Sequence, residues 1–166
     1  MKKNKTLFVI GTVLLILIID QCIKIWVRTN MHLDQEIPIF GPNFLADRAK
    51  LHFIENEGMA FGMKLDWQYG KLLLSVFRII AVGFLGWFIH TLIKKGYGYG
   101  VLLSFALILA GAAGNIIDSA FYGLIFGQVS PHSVVGFVPW GEGYAPFLHG
   151  WVVDMFHFPL FEFYWP

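Results

Sequence analysis

Three stretches of this chain stay apolar for longer than an ordinary core element requires, and that sets the solvent in which it folds. Residues 7–27, 71–93 and 101–125 are mostly apolar. At 1.5 Å per residue each is long enough to cross a hydrocarbon layer of about 30 Å. Inside lipid every backbone N–H and C=O must find a partner, and a helix meets that demand within one segment. Composition agrees. The chain is 57% hydrophobic and 14% charged, whereas soluble domains average about 25% charged. Its mean hydropathy is +0.63. A net charge of +1 offers nothing to a nucleic acid. The one cysteine, Cys22, excludes an intrachain disulfide and a Cys-rich metal cluster. With no repeat and no low-complexity tract, residues 1–166 read as a single, mainly α, polytopic membrane domain.

Basic residues orient it. Lys2, Lys3 and Lys5 precede the first span, and Lys94-Lys95 follow the second. Both clusters belong on the cytoplasmic side, which places the N-terminus there. A cleaved signal peptide fits poorly, because Asp20, Lys24 and Arg28 occupy the polar end and no small-x-small site follows. A lipobox at Cys22 fails because Asp20 and Gln21 stand where small residues are needed. Residues 30–70 are then extracytoplasmic. They are turn-rich, with β-like pieces such as 50–54, and should form a small sheet on the outer leaflet. Residues 151–166 are too short and too proline-broken to span.

This topology brings three carboxylates, Asp20, Asp118 and Asp154, to the outer interface. An ionisable group at that depth is costly and marks a functional site by default. Asp20 and Lys24 are four apart and share a helix face, as an ion pair or as part of a site. Asn115 and Asp118 share a face three apart, after the small residues Gly111-Ala112-Ala113-Gly114 that let helices approach closely. Between the first two spans, Asn56 and Gly58 lie in Glu55-Asn56-Glu57-Gly58, which can present polar and main-chain groups to an extended peptide or form an ordinary turn. Arg78, near the outer end of the second span, is placed to snorkel toward headgroups, and the outer-loop aromatics suit an interfacial belt.

Other chemistries lack their residues. The six histidines show no HxxxH or HExxH spacing, and His149 and His157 flank Asp154 too loosely for a metal site. No metal and no cofactor is expected. No Gly-x-Ser-x-Gly is present. Carboxylate chemistry remains: of two carboxyls held close, one keeps its proton as acid while the other activates water.

Taken together, these residues resemble the lipoprotein signal peptidases (signal peptidase II). The matching pieces are Asp20-x-x-x-Lys24, Asn56-x-Gly58-x-Ala60-Phe61-Gly62, Gly111-x-x-Gly114-Asn115-x-x-Asp118 and Val152-Val153-Asp154. The resemblance implies a four-span aspartic endopeptidase of the bacterial inner membrane, with its site at the periplasmic face and a small β-cradle from residues 30–70. It implies cleavage of prolipoproteins before a diacylglyceryl-modified cysteine, with that substrate and membrane lipids as partners and a monomer as the working unit. Asp154 would be one of two catalytic aspartates. Asp20, Asn56, Gly58, Asn115 and Asp118 would line or support the substrate site, and Lys24 would hold the end of the first span.

Three departures stand out. Ser119 replaces the arginine usual after the third motif, and residues 128–150 are longer than the usual turn, as a lid would be. The second catalytic aspartate, from an Asn-x-Ala-Asp motif opening a fourth span, is expected beyond Pro166. The chain is therefore expected to be a C-terminally truncated piece, inactive by itself. The rival reading is an inactive membrane protein that binds lipidated peptides or carries ions past Asp20, Lys24 and Asp118.

Overall fold

The computed structural model describes residues 2–40, 48–56 and 69–158. Three helices are long and apolar enough to cross a membrane. Helix α1 is Lys2–Asn30 and α2 is Gly70–Lys95. Helix α3, Tyr99–Ile117, runs on through a wider π turn, Asp118–Tyr122, into the short α4, Gly123–Ile125. The three spans agree with the hydropathy reading, each extended by a few residues at its ends.

Small residues set how the helices meet. Leu102, Ala106, Ala110 and Gly114 recur every fourth residue along α3 and are buried, so α3 packs closely against α1 and then α2. At Gly114 the approach is closest, because a Cβ there would strike the Asp20 carboxylate. Outward-facing Leu14, Leu15, Ile18, Phe77, Phe84 and Trp87 stay exposed on the bundle. In water each would forgo about 1.5–3 kcal/mol of burial; in lipid that penalty vanishes. At the other end, α2 stops at Gly96, whose φ of 87° is the left-handed conformation glycine adopts freely. The Lys5 ammonium donates to the Gly96 and Tyr97 carbonyls at 2.9 and 2.6 Å. The two basic clusters therefore share one end of the bundle.

At the opposite end lies a three-stranded antiparallel sheet, ordered β1 (Glu36–Pro38), β2 (Lys50–Asn56), β3 (Val152–His157). Among the described residues the expected cradle supplies two strands. The third comes from the segment around Asp154, whose Val-Val start favours a pleated, half-buried position. The β2–β3 register shifts between Leu51↔Phe156 and Ile54↔Asp154, so His52 and Phe53 together oppose Met155 in a β-bulge. Phe53, Val153 and Met155 point inward onto Val27, Met31, Tyr122 and Phe126, which form one core with them.

The long outer segment is stapled to the end of α3. Backbone N–H groups of Val138, Gly141, Tyr144 and Ala145 donate to the carbonyls of Ile125, Leu124, Phe126 and Gly123. Gly150 N–H donates to the Ser119 carbonyl at 2.9 Å, which satisfies a carbonyl in the π turn from outside the helix. A Cβ on Gly150 would strike the Asp118 carbonyl, so only glycine fits this close approach. Ser75 of α2 donates to Leu148 O at 2.8 Å and ties the second helix to the same segment.

A buried cation locks these pieces together. Arg28, fully buried, pairs with Glu55 on β2 and donates to Gly127 O at 3.1 Å. Its guanidinium lies 5.0 and 4.9 Å from the Phe126 and Tyr144 ring centroids. Breaking a buried pair from one side leaves an uncompensated charge, at about 3–5 kcal/mol. Arg28→Met and Glu55→Leu should each lower the unfolding midpoint in detergent by an amount of that order. The double variant should be far less destabilised than the sum of the singles; simple additivity would show that the pair does not act as a unit.

Candidate functional site

The polar stripe of α1 builds the site from below. Asp20, Lys24 and Arg28 succeed one another at i, i+4 and i+8 along one side of α1; the first two meet α3, and Arg28 meets β2 and the segment beyond α4. Lys24, almost fully buried, donates to Asp118 Oδ2 at 2.6 Å and to Asn115 Oδ1 at 2.9 Å. Its contact with Asp20, the pairing read from spacing, is the longer one at 3.4 Å. Lys24 therefore bridges α1 to α3 first and pairs within its own helix second. Asp118 is fully buried and accepts three hydrogen bonds, from Lys24, from Gln21 Nε2 at 3.0 Å and from the Val153 backbone N–H at 3.3 Å.

That last bond carries the network into the sheet. Val153 precedes Asp154, so fixing its N–H on Asp118 fixes where β3 presents the next side chain. Asp154 lies on the opposite face of the strand from Val153. There it accepts a hydrogen bond from Asn56 Nδ2 of β2, which sits diagonally across the ladder. Burial pushes the Asp154 carboxyl above the usual carboxylate range, and the Asn56 bond, the Lys24 charge and the Arg78 charge each pull it back. Arg78 thus acts on the carboxylate from α2 instead of serving headgroups alone.

Beyond Asp154 on the same face lies Phe156, which with Cys22, Ile23, Trp26, Ile39 and Leu51 lines an open groove of about 380 Å³. Every lining residue offers apolar surface, so the groove suits a hydrocarbon chain.

The structure gathers Asp20, Lys24, Asn115 and Asp118 into one cluster and links it through Val153 to the Asp154–Asn56 pair. Gly58, with the rest of its motif, lies outside the described residues. Ser119 is buried, and its hydroxyl has no hydrogen-bond partner among the described atoms. Spacing alone missed Gln21, which also accepts from Tyr122 at 3.1 Å, and the Arg28–Glu55 pair. Gln21 and Arg28 lie on the Asp20–Lys24 face, and that polar stripe was the available signal.

A sequence profile of the signal peptidase (SPase) II family matches residues 12–166. The chain belongs to the signal peptidase II family. A lipoprotein signal peptidase of Porphyromonas gingivalis is 44% identical over 159 residues, covering 95% of this chain and 66% of its own length. One from Amoebophilus asiaticus is 38% identical over 155 residues, 92% of this chain and 59% of its own. This signal peptidase II relative thus spans just under two-thirds of the length of the first and less of the second. A solved structure described as a bacterial membrane enzyme, obtained by the in meso method at 2.3 Å resolution, superposes with a TM-score of 0.55. It is 19% identical and covers 95% of this chain and 74% of its own, a likeness of fold.

The Asp154 environment has a measurable consequence. A carboxyl that titrates higher in the folded chain than the unfolded value of about 3.9 is a proton the folded state holds more tightly. Its contribution to stability therefore falls as pH rises from about 3.9 through the raised folded value. Carboxyl-selective NMR of Asp154 should place its midpoint above that of a free aspartate. Asn56→Leu, which removes a bond to the charged form, should move the midpoint higher still. A downward move would contradict the assignment of the Asn56 bond.

Proposed function

We propose that the protein is an aspartic endopeptidase of the bacterial inner membrane that removes signal peptides from diacylglyceryl-modified prolipoproteins, cutting before the lipidated cysteine. Asp154 is one member of the catalytic pair, and its partner is expected from sequence beyond Pro166. The observation that carries this reading is the placement of Asp154: a half-buried carboxylate held by Asn56, fixed through Val153 to Asp118, with an apolar groove along the same strand face. Family membership supplies the substrate class.

In this reading the chemistry follows from the pair. The carboxyl that keeps its proton donates it toward the scissile carbonyl or the leaving nitrogen, while the ionised one draws a proton from the attacking water. Burial raises the Asp154 carboxyl above its ordinary value, the direction that favours the protonated, acid form. Asn56, at the end of β2, and Gly58, outside the described residues, are substrate-binding candidates. Asp20, Asn115 and Asp118 support the site through Lys24, which holds the end of the first span. The apolar groove takes acyl chain from the lipidated cysteine. Lys2, Lys3, Lys94 and Lys95 favour a cytoplasmic N-terminus, which puts the sheet at the periplasmic face.

The test uses the product of the full coding sequence, purified in detergent, and a diacylglyceryl-modified prolipoprotein. Asp154→Asn should reduce cleavage by at least about 100-fold with its unfolding midpoint within a few degrees of the parent. Retained cleavage in that variant would remove Asp154 from the pair. Binding of the lipidated substrate with no cleavage by the parent protein would favour a non-enzymatic binding role.

A further inference from the structure

The sheet carries a second constellation of potential ligands that the peptidase reading does not use. Glu36 of β1, His52 of β2 and His157 of β3 come from three different strands, yet one ligand atom from each lies within 4.8 Å of the others. Glu36 Oε1 is 3.3 Å from His157 Nδ1 and 3.6 Å from His52 Nδ1. The two imidazole centroids are 5.5 Å apart, with their planes inclined at 43°. Sheet geometry accounts for the meeting. Glu36 and His52 are direct cross-strand partners, and Lys50, two residues before His52 on the same face, is the partner of His157.

We propose that Glu36, His52 and His157 form a binding site for a divalent transition-metal cation of the zinc type. Two imidazole nitrogens and one carboxylate oxygen are a donor set that zinc accepts, with a further position left for water. Ligands held about 2.0–2.1 Å from zinc in a tetrahedron stand about 3.3 Å apart. The two edges to Glu36 Oε1 approach that value, and the three ligand atoms all lie within 4.8 Å of one another. Imidazole donors select against magnesium and calcium, which prefer all-oxygen shells. Lys50 Nζ donates to Glu36 Oε2 at 2.8 Å. It therefore occupies the oxygen that does not face the rings and orients the one that does, as partners of metal-ligating carboxylates do. Lys50 also brings a positive charge near the cation, which limits affinity and favours a reversible site.

The location gives the site a purpose. His157 is buried near the end of β3, three residues beyond Asp154. A cation held by one residue from each strand would fasten all three together and with them the strand that carries Asp154. Metal occupancy would then stiffen the sheet without touching the Asp154 face.

The experiment takes the full 166-residue chain, purified in detergent without a histidine tag and stripped with chelator. It is titrated with zinc chloride against a chromophoric competitor, and in parallel its unfolding midpoint is read with zinc, magnesium or calcium added. One zinc per chain should bind at micromolar concentration or tighter, and zinc alone should raise the midpoint. His52→Gln and Glu36→Gln should each weaken binding at least tenfold, whereas His90→Gln, on α2, should leave it unchanged. His52 is chosen because it is only partly buried, so its loss threatens folding less than loss of His157. Cobalt(II) in place of zinc should give the visible absorption of a tetrahedral site in the parent and lose it in His52→Gln. No saturable binding, binding unchanged in both ligand variants, or an equal response to calcium would each overturn the proposal.

Discussion

The contact between Lys24 and Asp118 is the interaction on which the rest of the structure depends. An ammonium and a carboxylate taken out of water cost several kcal/mol each unless their remaining valences are satisfied. Here they are. Lys24 reaches Asp118, Asn115 and Asp20, while Asp118 also takes Gln21 and the Val153 N–H. Because the partners belong to different elements, satisfying the charges also sets the register of α1 against α3 and the entry of β3. Small side chains along α3 are the other half of that arrangement. A Cβ at Gly114 would strike the Asp20 carboxylate and displace it from its place beside Lys24.

A second buried cation repeats the logic one layer further out. Arg28 lies two helical turns beyond the Asp20 position, between the rings of Phe126 and Tyr144, and pairs with Glu55 on the middle strand. Lys24 therefore joins helix to helix and to β3, and Arg28 joins helix to β2 and to the aromatic outer segment. From Val138 onward that segment is bonded to the end of α3, with Gly150 on the π turn and Tyr144 on Phe126. Its tyrosine also accepts a structural hydrogen bond, from the Trp151 N–H to the Tyr144 hydroxyl at 2.7 Å.

Much of this was legible in the chain because membrane helices are local objects. Hydropathy found all three spans, basic residues placed their ends together, and the costliness of charge in lipid singled out Asp20, Lys24 and Asp118. What escaped was everything made by pairing residues distant in sequence. Spacing suggests that Lys24 pairs with Asp20, but a helix 91 to 94 residues away offers it two better oxygens. The strand at Val152–His157 was read as a short outer segment, because six residues carry little periodicity until a partner strand is known. The meeting of Glu36, His52 and His157 escaped for the same reason. His52 and His157 are 105 positions apart and meet only through a sheet.

The strand that was missed also ranks the carboxylates. An ionised carboxylate has about four acceptor sites. Asp118 spends three of them on Lys24, Gln21 and Val153, all within the protein and out of water. A group so engaged positions its neighbours but has little capacity left for a water and a peptide. Asp154, one residue beyond the N–H that Asp118 holds, is only half-buried and has Asn56 as its described hydrogen-bond partner. The most buried carboxylate is thus the one best suited to hold the frame. The less buried one, carried on a strand, is the one to which we assign the proposed catalytic role.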